Sequence, residues 1–216
     1  MSAATGTAMV IVSGDDIHHD LLNAASVFQT LGLEAGFATT AAMGMGRFAG
    51  PAPRTAGADV YLLYTSGGLS STAQQEALAA AVAGGKGLVA IHCSNVLGPD
   101  DQPLFELLGN RYLSHGPDHH EGTFEVLIGG DHPITRGVED FTLFDEYYEF
   151  EFADASVDVL ATRRRVSDGA VIPVLYARTV GSGRVCYLAL GHDMRAWGQP
   201  AFRTLVRQAF QWAYKG

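Results

Sequence analysis

MVIVSGDDIHHDLLNAASVFQTLG, residues 9–32, reads as a β-strand, a polar loop and a helix in direct succession. Residues 9–13 are apolar and β-branched, as a strand covered on both faces must be. From Asp20 onward the apolar positions fall at helical spacing and close on a glycine. The same pattern recurs outward along the chain. Residues 34–39 and 59–64 read as further strands, separated by a Gly/Ala-rich stretch with Pro51 and Pro53 that reads as loop. TSGGLSSTAQQEALAAAVAGGKG (65–87) supplies a glycine turn, a Ser/Thr cap and an alanine-rich helix stopped by Gly84 and Gly85, before the strand GLVAI at 87–91. Alternating strand and helix predict a three-layer α/β fold around a mostly parallel sheet.

After His92 the composition changes. Residues 96–122 are rich in Gly, Pro, Asp and His, with a short helical piece at PLFELLG, and read as an insertion of the kind that carries function. Residues 123–128, 141–150, 157–163, 172–178 and 184–190 read as strands joined by short turns, which predicts hairpins added at the sheet edge. Residues 200–214 form an amphipathic helix with Pro200 near its start. No repeat or linker interrupts the chain, so residues 1–216 are expected to form one domain.

Hydrophobic residues make up 47% of the chain and charged residues 17%, a globular balance. No apolar run approaches the roughly 18–20 residues a membrane-spanning helix needs, and the N-terminus lacks a basic, then apolar, signal pattern because Asp15 and Asp16 follow so early. A cytoplasmic location is the expectation. The net charge of −9 disfavours nucleic acid as a partner. Arg163, Arg164 and Arg165 read as a solvated strand end. The two cysteines, Cys93 and Cys186, form neither a disulfide framework nor a zinc pattern. Cys186 reads as core.

Three strand-like runs open into loops that carry histidine: residues 9–20, 87–95 and 184–193. In a parallel sheet these loops gather on one rim, where ligands bind in such folds. One of His18 and His19 is expected to face the crevice, and we favour His19, with Asp20 as either a helix cap or a further site residue. In GLVAIHCSN either His92 or Cys93 occupies a sharp strand-end turn of the nucleophile-elbow kind, with Asn95 close by. GHD places His192 and Asp193 after the last strand. LSHGPDHHEG gathers His115, Asp118, His119, His120 and Glu121. Such a set could ligate a metal, but it matches no zinc signature and reads equally as polar surface, so His115 alone is retained. His132 in DHPITRG reads as a turn residue. FDEYYEF (144–150), read as continuous strand, sends Asp145, Tyr147 and Glu149 to one side and Glu146 and Tyr148 to the other. His92, His192, Asp193 and Glu146 are the expected catalytic groups, and His19, Cys93, Asn95 and His115 the expected substrate contacts. His19, His92 and His192 could ligate a divalent metal, for which imidazole suits zinc, manganese or iron.

Taken in order, HHD, GLVAIHCSN, LLG with a downstream SHG, DHPITRG, FDEYYEF, GSGRVCYLALGHD and the final Trp-containing helix resemble the trehalose-utilisation (ThuA-like) family over nearly the whole chain. The resemblance implies a flavodoxin-like sheet of the class I glutamine amidotransferase-like kind. It also implies sugar catabolism, with a small-molecule sugar such as a 3-keto-glycoside as substrate. In amidotransferases of this fold a cysteine sits on the elbow. Here His92 takes that position and the flanking glycines are missing, which disfavours glutamine hydrolysis. A 3-keto sugar has an acidic C2 hydrogen, so a His or carboxylate base, with a cation to hold the enolate, suits these residues. The alternatives are a Cys93-dependent hydrolase with His192 as base, or a non-catalytic sugar-binding module. Trp197, Phe202 and Trp212 are expected in the core, with a homo-oligomer interface as the alternative.

Overall fold

The opening apolar run forms β1 (Gly6–Ser13), followed by α1 (Leu21–Glu34), β2 (Phe37–Met43), β3 (Val60–Thr65), α2 (Thr72–Ala83) and β4 (Gly87–Ile91). The computed structural model describes residues 6–14, 17–49, 58–66, 70–153 and 156–215. The Pro51/Pro53 stretch, the Asp15/Asp16 pair and the Gly67–Gly68 turn lie outside the described residues. The second strand begins later than its sequence suggests, because Gly36, at φ 97°, first turns the chain out of α1. A capping box starts α2: Gln74 N donates to Ser71 Oγ while the Gln74 side chain accepts from Ser71 N.

The second half contains α3 (Gln102–Leu108), β5 (Asn110–Ser114), β6 (Glu121–Ile128), β7 (Phe141–Glu146), β8 (Glu149–Phe152), β9 (Asp158–Arg164), β10 (Val171–Val180), β11 (Gly183–Leu188), α4 (Met194–Trp197) and α5 (Pro200–Ala213). Among the described residues, nine strands form one sheet in the order β2-β1-β3-β4-β11-β10-β9-β6-β7. The first five are mutually parallel and the rest antiparallel. The parallel part runs 2-1-3-4 and then the last strand, the flavodoxin-like order. The expected hairpins are present as β6–β7 at the sheet edge and as β9–β10–β11, which runs inward until β11 pairs with β4 in the middle of the sheet. Helices α1 and α5 pack on each other, while α2 and α3 form a second pair. Trp197 and Phe202 are fully buried, and Trp212 lies partly buried against the core.

Three readings need correction. Residues 141–150 are not one strand: Tyr147 and Tyr148 interrupt it, so β7 stays in the large sheet while β8 leaves to pair with β5. The 96–122 segment is less irregular than its composition suggests, because β5 lies inside it. Arg163 is not a solvated strand end. It is 1% exposed, with its guanidinium 4.9 Å from the Tyr147 ring centre and its Nη2 donating to Tyr148 O at 3.3 Å. The strand's alternation decides this, since Arg163 faces inward while Arg164 faces solvent.

The β10–β11 hairpin approaches the end of α2 so closely that a Cβ on Gly183 would lie 2.0 Å from Val82 O and 2.5 Å from Lys86 O. Both obstacles are backbone and cannot rotate away. Gly183→Ala is expected to destabilise the fold by about 2 kcal/mol or more, read as a lower urea midpoint. Gly46→Ala, where a methyl meets nothing within 4 Å, serves as the control.

Candidate active site

The parallel strands end on one rim, and β1, β4 and β11 each hand over to a loop bearing histidine. After β1, His18 is exposed and His19 is buried, so His19 enters the crevice. Asp20 caps α1, its Oδ1 accepting from Asn23 N at 3.1 Å. Strand β4 ends on His92 at φ 47°, the one non-glycine residue with positive φ among the described residues. A side chain in that region carries a cost of about 1 kcal/mol or more. Surrounding bonds hold it there: Tyr187 Oη donates to His92 O at 2.9 Å, and His92 Nδ1 donates to Ala189 O at 2.8 Å. After β11, the chain turns at Gly191, at φ 113°, to present His192.

The three imidazoles form a nearly equilateral group. Ring centres lie 5.5 Å apart for His19 and His92, 5.2 Å for His19 and His192, and 5.3 Å for His92 and His192. Glu146, the last residue of β7, reaches in from the far side, its Oε2 3.1 Å from His92 Nε2 and 3.4 Å from His192 Nδ1. The ligating atoms of His19, His92, His192 and Glu146 all lie within 4.8 Å of one another. Asp145 anchors this approach from below: its carboxylate accepts from Gly191 N at 2.6 Å, Glu146 N at 2.9 Å and His192 N at 3.1 Å. Tyr148 closes one wall, its ring 4.1 Å from that of His92, and Tyr64 donates to His192 O at 2.7 Å.

Two observations in this group call for a ligand. Both ring nitrogens of His19 are buried with no hydrogen-bond partner, a rare condition for buried polar atoms. Because Ala189 O can only accept, His92 Nδ1 carries the hydrogen, and a neutral His92 then points its Nε2 lone pair at a carboxylate oxygen. A shared proton or a cation must lie between them. A backbone carbonyl that fixes one nitrogen while the other faces the site is the arrangement metal-bound histidines use.

The electrostatics follow from burial and crowding. Burial, then the adjacent His92 and His192, pull His19 down to about 3. Burial also lowers His192, with His92 adding to it. Burial alone would raise Glu146, but the His92 hydrogen bond and the charges of the surrounding imidazoles outweigh it and hold the carboxyl at about 2.

The other expected site residues are placed differently. Cys93 is fully buried beneath the elbow, and burial pushes its thiol well up, the opposite of what a nucleophile needs. His92 sits at the strained tip in its place, and this geometry speaks against the Cys93-dependent alternative. Asn95 is also fully buried, so neither side chain lines an accessible surface. Asp193 turns away from the imidazoles to cap α4 and pair with Arg195, Oδ1 accepting from Arg195 N at 2.8 Å. The carboxylates beside His192 are those of Asp145 and Glu146. His115 lies at the outer edge, and His120, which in sequence belongs to a polar cluster that reads equally as surface, has Nδ1 3.4 Å from Glu146 Oε1. His132 takes the expected turn role, its Nδ1 accepting from Ile134 N at 3.1 Å.

The pattern of the family described as trehalose utilisation, ThuA, matches residues 8–213. The chain belongs to the ThuA family. Its solved neighbours agree in fold. A protein described as ThuA-like from Parabacteroides merdae superposes with a TM-score of 0.82 at 15% identity, covering 98% of this chain and 91% of that one. A second, from Bacteroides uniformis, gives 0.78 at 16%, covering 99% and 93%. A Thermoplasma acidophilum protein described as part of a GMP synthase gives 0.62 at 10%, covering 95% and 93%. The ThuA fold is therefore shared with amidotransferase-like proteins. A search of the curated proteins found no match. Family membership ties this chain to sugar utilisation and leaves the reaction open. No helix among the described residues is long and apolar enough to cross a membrane.

The buried imidazoles make the metal-free protein acid-labile. Folding holds His19 neutral down to about 3, while an unfolded chain protonates it near its ordinary 6.5, so stability falls as pH drops through that window. Glu146, lowered from 4.5 to about 2, adds a loss of the same sign at lower pH. Between pH 7 and pH 4 the unfolding free energy is expected to fall by on the order of 3 kcal/mol through His19 alone. His19→Gln should flatten that slope in urea titrations run at the two pH values.

Proposed function

We propose that this protein is a metal-assisted enzyme of sugar catabolism that acts on a 3-keto-glycoside. The observation that carries the reading is the His19, His92 and His192 group with Glu146 beside it. Imidazoles bound at about 2.0–2.1 Å around a four-coordinate ion have ring centres about 5 Å apart, close to the spacings of 5.2–5.5 Å. The partnerless nitrogens of His19 fit it too. The three histidines would hold the ion, and Glu146 would offset its charge. Three neutral nitrogens suit zinc or iron better than manganese, which prefers oxygen.

A divalent ion in this position supplies Lewis-acid stabilisation of the negative charge that develops on the C3 oxygen when the C2 hydrogen leaves. His92 is oriented for this by Ala189 O, and His192 by the two hydrogen bonds to its backbone. Glu146, held at about 2, is too weak a base to take the C2 proton near neutral pH and acts through its charge. Once the enolate forms, the substituent at C1 is expelled. Trehalose and other glycosides become substrates for such a site after oxidation at C3, which a partner dehydrogenase would supply.

Protein purified without chelator is expected to carry about one equivalent of zinc or iron per chain by elemental analysis. His92→Ala should weaken metal binding about tenfold to a hundredfold or more. The metal-loaded protein should consume 3-keto-trehalose and lose that activity on dialysis against a chelator. Protein that binds no divalent ion in solution, or turns the sugar over equally well without one, defeats this reading.

A further inference from the structure

Glu146 faces two ways, and the second direction points to the group that moves the proton. Its Oε2 lies against the buried imidazoles, while its Oε1 is 3.4 Å from Nδ1 of His120. Whereas His92 is fully buried and His192 only partly exposed, at 15%, the His120 side chain is 64% exposed at the mouth of the site. Its position is built rather than incidental. Tyr147 N donates to His120 O at 3.1 Å, clamping this loop to the break between β7 and β8. The His120 ring rests on that of His115, centres 3.7 Å apart, and Tyr112 and Tyr148 back His115 at 5.4 Å and 5.5 Å.

His115, His120 and Glu146 could be read as a second metal site. The ring spacing opposes that. Two imidazoles on one ion need centres about 5 Å apart, as in the inner group, whereas these two lie 3.7 Å apart with their planes inclined at 44°. A close, tilted ring pair beside one carboxylate suits orientation of a single exposed imidazole. Its Nδ1 lies on the Glu146 side and its side chain is 64% exposed, so a neutral His120 protonated on Nδ1 keeps the Nε2 lone pair for a substrate proton.

We infer that His120 is the catalytic acid–base of this site, with Glu146 and His115 as its positioning residues. The inference rests on the 3-keto-glycoside reaction proposed above. His120 Nε2 takes the C2 hydrogen as a proton. The C–H electron pair forms the C2=C3 bond of the enolate, and the carbonyl pair moves onto the C3 oxygen. That pair then returns to re-form the ketone, a C1=C2 double bond forms, and the C1–O bond breaks with its electrons on the departing oxygen. The proton held on His120 passes to that oxygen, so the imidazole ends neutral and no further reactant is consumed.

The test follows the C2–H resonance of methyl 3-keto-β-glucopyranoside by NMR in D2O with metal-loaded protein, counting its loss by exchange or elimination. His120→Asn should slow that loss about a hundredfold or more, with KM little changed and the metal content equal to wild type. Imidazole added to His120→Gly should restore part of the rate, which a merely structural role would not allow. A full rate in His120→Asn overturns the assignment, and so does loss of metal from that variant, which would make His120 a ligand. If metal-loaded wild type leaves the C2–H untouched, the proposed reaction itself fails and takes this inference with it.

Discussion

The arrangement of the site depends on the buried carboxylate of Asp145. Strand β7 stands four places beyond β11 in the sheet order, yet Asp145 at its end accepts from the backbone N–H groups of Gly191 and His192, just past β11. The antiparallel half of the sheet must therefore curl over the rim of the parallel half. The backbone groups it satisfies would otherwise be buried without partners, which costs about 1–3 kcal/mol each. The same carboxylate accepts from Glu146 N at 2.9 Å, fixing where the next side chain goes. Glu146 meets the histidines because Asp145 is already occupied with the backbone beneath them.

The left-handed turn at His92 is the second constraint. An elbow pushes one side chain above the sheet and tucks the next beneath it. With His92 at the tip, Cys93 falls into the core, where burial raises its thiol and denies it the role of nucleophile. A one-residue difference in which group occupies the tip exchanges a thiol site for an imidazole site. His92 is then held on both sides, by Tyr187 to its backbone and by Ala189 to its ring, so its remaining nitrogen has a single direction to face.

Much of this is legible in the chain. Residues 9–13 and 87–91 are covered on both faces, and their unbroken apolar character says so without any partner being known. The rim location of His19, His92 and His192 follows from parallel strands alone. Glu146 stands out because FDEYYEF is an acidic run near a strand end, although the strand breaks at Tyr147 and Tyr148 rather than continuing to Phe150. His120 and Asp145 are harder. Asp145 resembles any alternating strand residue, and His120 sits in a polar loop whose composition matches ordinary surface. Arg163 misleads for a related reason, since three arginines in a row look solvated until the strand's alternation buries the first.

The sequence by itself determined the α/β class, the flavodoxin-like run of parallel strands and the delivery of three histidines to one edge, because these depend on local apolar pattern and on the direction of successive strands. Only the tertiary structure decided which groups touch. The sheet's curl brings Glu146 to His92 across 54 residues of chain, and the backbone strain at one position selects histidine over cysteine. Those contacts are set by hydrogen bonds between segments far apart in sequence, and no local pattern of residues records them.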